Sequence, residues 1–489
     1  MVRNLVFQIQ LCASVVFGAM AGPVSAQTTA PVNRPAAELL LERAEKAMHS
    51  ASIKAVQYIA QGSAGAIGQS FEAGKPWPKL KLTAYALLSD YAHSAQREEI
   101  VRVRTEATGG PASQGEQRLV QFYRDQSAWN MLGPIPVPIP SAVKERSAAL
   151  WATPHGALAA ARRNINQLQL QGGKALVFTL PNEYQTTVLL NAKFQVQEVR
   201  TLLPHPVLGD TLVINTYTDY QTFGETPFPT RIRQTWGGHP SLDLTVQQVQ
   251  TNPGFVISIP DRALAAPERV TAESLAKGVW LLAGGMHHSV AIEMQDHVVL
   301  VDAPVSEDRA KAIVAEVSNR IPDKKIRWVV NTHPHFDTLG GIRGVAAQGA
   351  DVIAAESSRA ILRRVWAGSQ RIAPDAMAQS IAKPQFVGVT DKYLHTDDQR
   401  KVEIYAIQGS THAKGMLMVY LPAEKLLIQT DAYTPGPPFS APPETPQAAH
   451  VNLVANIERL RLDVDRIVPL RGRVVYLADL YKAVGRGSP

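Results

Sequence analysis

The chain of 489 residues contains one cysteine, Cys12. One thiol cannot close an intrachain disulfide. Its position also excludes it from any mature active site. It lies inside the apolar stretch "LVFQIQLCASVVFGAMAG", which follows Arg3 and ends in "VSA" before Gln27. A short positive start, an apolar core and a small-x-small end are the parts of a secretory signal peptide, so residues 1–26 are expected to be removed after Ala26. "IQLC" lacks the small residues that precede a lipid-modified cysteine. Gln8 and Gln10 interrupt the run and no strong flank follows it, so export is expected and not anchoring. A mature chain without cysteine has no thiolate nucleophile or thiolate metal ligand. It suits the periplasm or the exterior of a bacterium, where stray thiols oxidise. No other apolar run approaches membrane-spanning length. Runs of Lys and Arg are missing too. The 49 basic and 42 acidic residues give a net charge of +7, but scattered along the chain, which argues against a nucleic-acid partner. The mild basicity reads as a solvated surface that favours anionic partners, and the expected partner is a small molecule.

What is present divides in two, as the length alone suggests. "AAELLLERAEKAMHSA" has helical spacing. From Val101 onward come short alternating segments such as "EEIVRVRTEA", "RLVQFYRD", "TLVINTYTDYQ" and "LDLTVQQVQ", separated by turn clusters including "FGETPFP" and "WGGHP". They predict an antiparallel sheet of hairpins. One helical interruption, "SAVKERSAALWATPHGALAAARRN", follows a stiff extended connector, "GPIPVPIP". "NPGFVISIPDRALAAPE" reads as a linker, which sets the expected domains as 27–265, β-rich, and 266–489. In the second region strands and helices alternate, with hairpins mixed in, which predicts an α/β sandwich.

The chemistry gathers in "VVNTHPHFDTLGG". His333 and His335 stand two apart just beyond a strand, where both imidazoles can grip one ion, and Asp337 can reach a second ion or a metal-held water. His412 in "QGSTHAKG" and Asp431 at the end of "LLIQTDAY" are further donors at strand ends. His155, His205 and His395 are expected to be ordinary surface or core histidines. The same reading leads for His287 and His288 in "GGMHHSV".

The ordered series "LVDAP", "NTHPHFDTLGG", "STHAKG", "LIQTDAY" and "VPLRG" resembles the metallo-β-lactamase-fold hydrolases over the C-terminal half. The resemblance implies an αβ/βα sandwich with a metal site on one edge. It implies that His333, His335 and His412 form a first zinc site, that Asp337 and Asp431 are the carboxylate ligands matching those of the family's second zinc, and that Asp302 ties neighbouring loops together. Two positions depart from the family. The second histidine of its "DH" pair is Thr338, and the histidine of its "PxHG" is Arg471. Two carboxylates without an imidazole hold zinc poorly, and a guanidinium repels it. The expectation is one zinc per chain, with Arg471 in place of the second cation, neutralising Asp337 and Asp431.

The reaction this implies is hydrolysis, by metal-supplied hydroxide, of an ester, lactone, lactam or similar bond. Asp337 would orient or deprotonate the water, Arg471 would meet an anionic group or oxyanion, and Tyr433 is a candidate proton donor to the leaving group, or a wall residue. The N-terminal region is similar to the half-barrel of periplasmic lipoprotein carriers, which suits an apolar ligand or a cover for the catalytic mouth. Two non-hydrolytic alternatives stand beside this reading: a ligand-binding protein on a degenerate scaffold, and an envelope carrier.

Overall fold

The computed structural model describes residues 34–112, 115–180, 184–438, 441 and 444–487. The leader expected at 1–26, with Cys12 and the cleavage position, lies outside the described residues. Among the described residues no helix is long and apolar enough to cross a membrane.

The N-terminal part is an open sheet of thirteen strands, paired antiparallel throughout. Its first strand, Ala55–Gly65, lies beside its last, His239–Thr251, with Val56 opposite Thr251. From this central pair, two meanders run out to the edge strands Ile135–Pro138 and Gln169–Gln171. Register shifts at Ile59/Ala60, Leu82/Ala84 and Gln234/Thr235 bend the strands and increase their twist. The bent sheet packs on the helices Arg34–Ala47, Val143–Trp151 and Pro154–Arg163, whose Leu41, Leu150 and Leu158 share one core with Val188, Val199 and Leu244. This is the expected β-rich N-terminal region.

Three local readings of the sequence need correction. The sheet begins at Ala55, well before Val101, because "AVQYIAQGSAG" and "KLKLTAYALLSD" are strands. Their small and polar residues dilute the β signal, and pairing with neighbours supplies what intrinsic preference lacks. The connector "GPIPVPIP" contains an edge strand, Ile135–Pro138, where proline loses only an outward-facing donor. The single helical interruption is two helices, broken at Thr153, because Pro154 opens the second helix and disfavours a helical residue before it.

Beyond the segment 252–270, which holds only a short 3-10 turn, two more sheets form. One has seven strands in chain order from Thr271–Ala276 to Phe386–Val389, antiparallel at first and parallel from Val298–Val301 onward. The other has six, from Lys392–Thr396 to Val475–Tyr476. Val299, Val330 and Ile353 of the first sheet meet Ile404, Val419 and Ile428 of the second in one buried core. Helices Glu307–Arg320, Ile342–Ala346 and Arg359–Ala367 cover the outer face of the first sheet. Ala448–Leu460 and Leu477–Ala483 cover that of the second. The result is the expected αβ/βα sandwich.

Loops of the N-terminal sheet close over one edge of this sandwich. Lys414 N donates to Phe71 O at 2.7 Å, Gly109 N to Thr411 O at 2.9 Å, and Phe336 N to Gly68 O at 3.4 Å. These bonds fall on both sides of the candidate metal ligands.

Candidate metal centre

The strand Ile326–Asn331 is buried along most of its length, and its end delivers the histidine loop. Asp302, at the end of the neighbouring parallel strand, accepts from Thr332 N at 2.7 Å, Thr332 Oγ1 at 2.6 Å and Thr430 Oγ1 at 2.8 Å. One buried carboxylate thus ties together the ends of three strands. Burial pushes its pKa up to about 7 against those hydrogen bonds.

His333, His335 and His412 are buried, and one ligand nitrogen of each lies within 4.8 Å of the other two. His333 Nε2 and His412 Nε2 face each other at 3.4 Å, and both lie 3.5 Å from Asp431 Oδ2. His335 Nε2 is 3.1 Å from the carbonyl of Ser70, so it donates there and leaves Nδ1 as the lone-pair atom. That buried Nδ1 has no hydrogen-bond partner. Burial lowers the pKa of His333 to about 4 and that of His335 well below its ordinary value, so both are neutral at pH 7. Buried, convergent imidazoles, an orphaned nitrogen and an adjacent carboxylate fit a divalent cation of the zinc type.

The second cluster has a different chemistry. The Arg471 guanidinium pairs with Asp337 Oδ2 through Nη2, and its Nε lies 3.1 Å from Asp431 Oδ1. Burial opposes ionisation of both carboxyls, but the Arg471 charge holds both well below the usual carboxylate range. His287 Nε2 lies 3.6 Å from Asp337 Oδ2, an ion-pair distance too long for a hydrogen bond. Asp337 Oδ1 is buried and unpartnered. Thr338 makes no hydrogen bond to this cluster among the described residues. Its Oγ1 is 2.6 Å from the His333 carbonyl and 3.0 Å from that of His335, so it stitches the histidine loop.

The remaining residues singled out from the sequence are dispersed. Tyr433 is buried, edge-on to His450, and burial raises its pKa to about 12, with Asp479 and Arg473 the nearest charges. Its ring belongs to the core under helix Ala448–Leu460, a wall position and not one among the three histidines. His288 Nδ1 accepts from Gly284 N at 3.3 Å. His155 bonds the Met48 carbonyl, and His395 bonds His297 at 2.8 Å. His205 differs from the expectation. It lines a cavity of about 460 Å³ beside Asp337 and His287, edge-on to Phe336 and Trp236. Neither His205 nor Ser70 was legible as a site residue. Each lies far from the motifs in sequence and reaches them only through packing.

A trio of buried histidines on the edge of an αβ/βα sandwich, with a carboxylate at hand, is the framework of a metal-dependent enzyme. The family described as "Metallo-beta-lactamase superfamily" matches residues 282–478, and over that stretch the chain is similar to it. That similarity suggests metal-dependent hydrolysis. The chain is 23% identical over 201 residues to the 2,4-dinitroanisole O-demethylase subunit alpha of Nocardioides sp. (strain JS1661), covering 41% of this chain and 57% of that protein. The chain therefore spans just over half the length of that curated relative. Similar solved structures include a metallo-beta-lactamase from Pontibacter korlensis (16% identity, 44% of this chain and 98% of that one, TM-score 0.35). Another is metallo-beta-lactamase FIM-1 from Pseudomonas aeruginosa in its mono-zinc form (19%, 44% and 94%, 0.34). A third is a metallo beta lactamase from Hirschia baltica (19%, 45% and 100%, 0.34).

One prediction follows from the Ser70 contact. Gly68 has φ +70°, and a Cβ added there would stand 2.1 Å from Phe336 Cγ. Gly68→Val should lift this strap off the histidine loop and free the His335 tautomer. Outer partners of ligating histidines are worth about 10–100-fold in metal affinity. Competition with a chromogenic chelator should show a loss of that size, and unchanged affinity would mean that Ser70 does not position His335.

Proposed function

We propose that this chain is an exported hydrolase with one zinc ion, cleaving an ester, lactone, lactam or similarly activated bond. In this reading residues 27–265 cover the site and residues 266–489 build it. The observation that carries it is the convergence of His333 Nε2, His412 Nε2 and the unpartnered His335 Nδ1.

His333, His335 and His412, with Asp431 beside them, would hold the zinc ion, which would supply Lewis acidity and lower the pKa of water. The chain's own residues then divide the work. Asp337 is kept ionised by Arg471, so it is a weak base. Its free Oδ1 accepts a hydrogen bond from the attacking water and orients it. Arg471 neutralises Asp337 and Asp431 and retains donors for an oxyanion or an anionic substituent. His205, Trp236 and Phe336 form the apolar wall of the cavity beside Asp337 and limit water there.

A panel of esters, lactones, β-lactams and activated aryl methyl ethers, the last prompted by the O-demethylase relative, tests this reading. The expected result is turnover of at least one class, lost on chelation and restored by zinc. Inertness across the panel with zinc bound would favour the binding-protein alternative. The single-zinc element has its own test. Arg471→His alone should leave the stoichiometry at one, because Thr338 offers no ligand. Together with Thr338→His it should admit a second ion. Two ions in the single variant, by elemental analysis, would overturn that account.

A further inference from the structure

We propose that the N-terminal sheet and the metal-binding sandwich enclose one continuous substrate chamber, and that Arg102 in it binds an anionic substituent of an elongated, partly aromatic substrate. For catalysis this rests on the hydrolase reading, whose site it extends. The binding itself is independent of that reading.

Two cavities of about 460 Å³ each carry the argument. One reaches Asp337 and His287. The other lies between the bent sheet and helix Val143–Trp151, with Tyr58, Tyr85 and Tyr217 on its walls. Ala142, Glu145, Leu203 and Trp236 line both, so the two spaces adjoin. A molecule seated in both would extend from the apolar region beside Asp337 into the sheet.

The strand Ala95–Arg104 turns Gln96, Glu98, Ile100 and Arg102 into the inner cavity, the alternation a strand imposes. Their charged groups are not equally engaged. Glu98 accepts from Tyr85 Oη at 2.7 Å. Arg146 donates to the carbonyls of Phe122 and Trp129 at 2.9 Å and to Asn130 Oδ1 at 2.6 Å. Burial raises the pKa of Glu98. Arg102 donates to the neutral Gln117 Oε1 at 3.0 Å, and among the described residues no carboxylate lies within ion-pair distance of it. Burial, and after it the Arg471 charge, lower its pKa. A cation lining a chamber without a carboxylate partner is an anchor for a carboxylate or sulfonate.

Two fluorescent probes with one skeleton test this in the full chain: anilinonaphthalene sulfonate and phenylnaphthylamine, which lacks the sulfonate. Arg102→Gln should weaken the sulfonate probe about tenfold or more and leave the neutral probe unchanged, while Arg102→Lys keeps part of the affinity. Ala149→Trp, which fills the inner cavity from its helix, should displace both probes. If Arg102→Gln does not fold, Arg102→Lys and Ala149→Trp still decide the matter. Equal sulfonate affinity in wild type and every folded variant would overturn the proposal, as would parallel loss of both probes in Arg102→Gln. His335→Ala should bind both probes as wild type does, so a failure of catalysis is not mistaken for a failure of the chamber.

Discussion

His335→Ala should remove tight zinc binding and reduce hydrolysis by about three orders of magnitude or more, on the order of 4 kcal/mol in the barrier. The side chain is the one ligand whose orientation is fixed from outside the sandwich, by the Ser70 carbonyl. Its Nδ1 is also the ligand atom with no protein partner. Without it, His333 and His412 retain two nitrogens and Asp431, a set that binds zinc more weakly and leaves the ion more open to solvent. Folding should survive, because removing a buried neutral imidazole leaves no stranded charge. Circular dichroism should therefore match wild type while zinc content and turnover fall together. Turnover at the wild-type rate in His335→Ala would reject the metal assignment.

Arg471→Gln should have the largest effect on stability. Asp431 is buried and Asp337 largely so, both paired with one guanidinium whose side chain retains 27% of its exposure. Removing the cation strands two carboxylates in one site, and breaking a buried pair from one side costs roughly 3–5 kcal/mol. The pH dependence follows from the signs. Arg471 holds both carboxyls below their unfolded pKa of about 3.9, so its contribution is full above that value. It is lost only as pH falls through the lowered folded values. In the variant the stranded carboxyls favour the protonated form, so the variant gains relative stability in acid. Denaturant titrations of the metal-free proteins should show a wide gap from about pH 5 to neutrality that narrows in acid. A gap that widened in acid would mean that Arg471 does not compensate these carboxylates.

The features legible in the sequence are those that short stretches encode. Buried strands such as "WVVN" and "LLIQ" are apolar runs whose ends fix the positions of the next few residues, so the histidines and aspartates could be placed at strand ends and matched to a family pattern. Thr338 and Arg471 were legible as departures from that pattern. What Thr338 does instead was not, because its hydroxyl turns back onto the carbonyls of its own loop. Tyr433 shows the limit of proximity in sequence. It follows Asp431 by two residues, yet the left-handed backbone at Asp431, φ 62°, changes the chain direction and the ring enters the core. The contributions of the N-terminal sheet were hidden for another reason. Ser70 meets a residue 265 positions away, and Arg102 shares a chamber with helix Val143–Trp151 through strand order that no local pattern encodes.

The account depends most on one cation, Arg471, standing where a second metal would otherwise balance Asp337 and Asp431. Elemental analysis of protein stripped with chelator, reloaded with excess zinc and desalted, measures this directly. The account predicts one zinc per chain, unchanged as the loading concentration rises. A firm value of two per chain in the wild-type protein would contradict it.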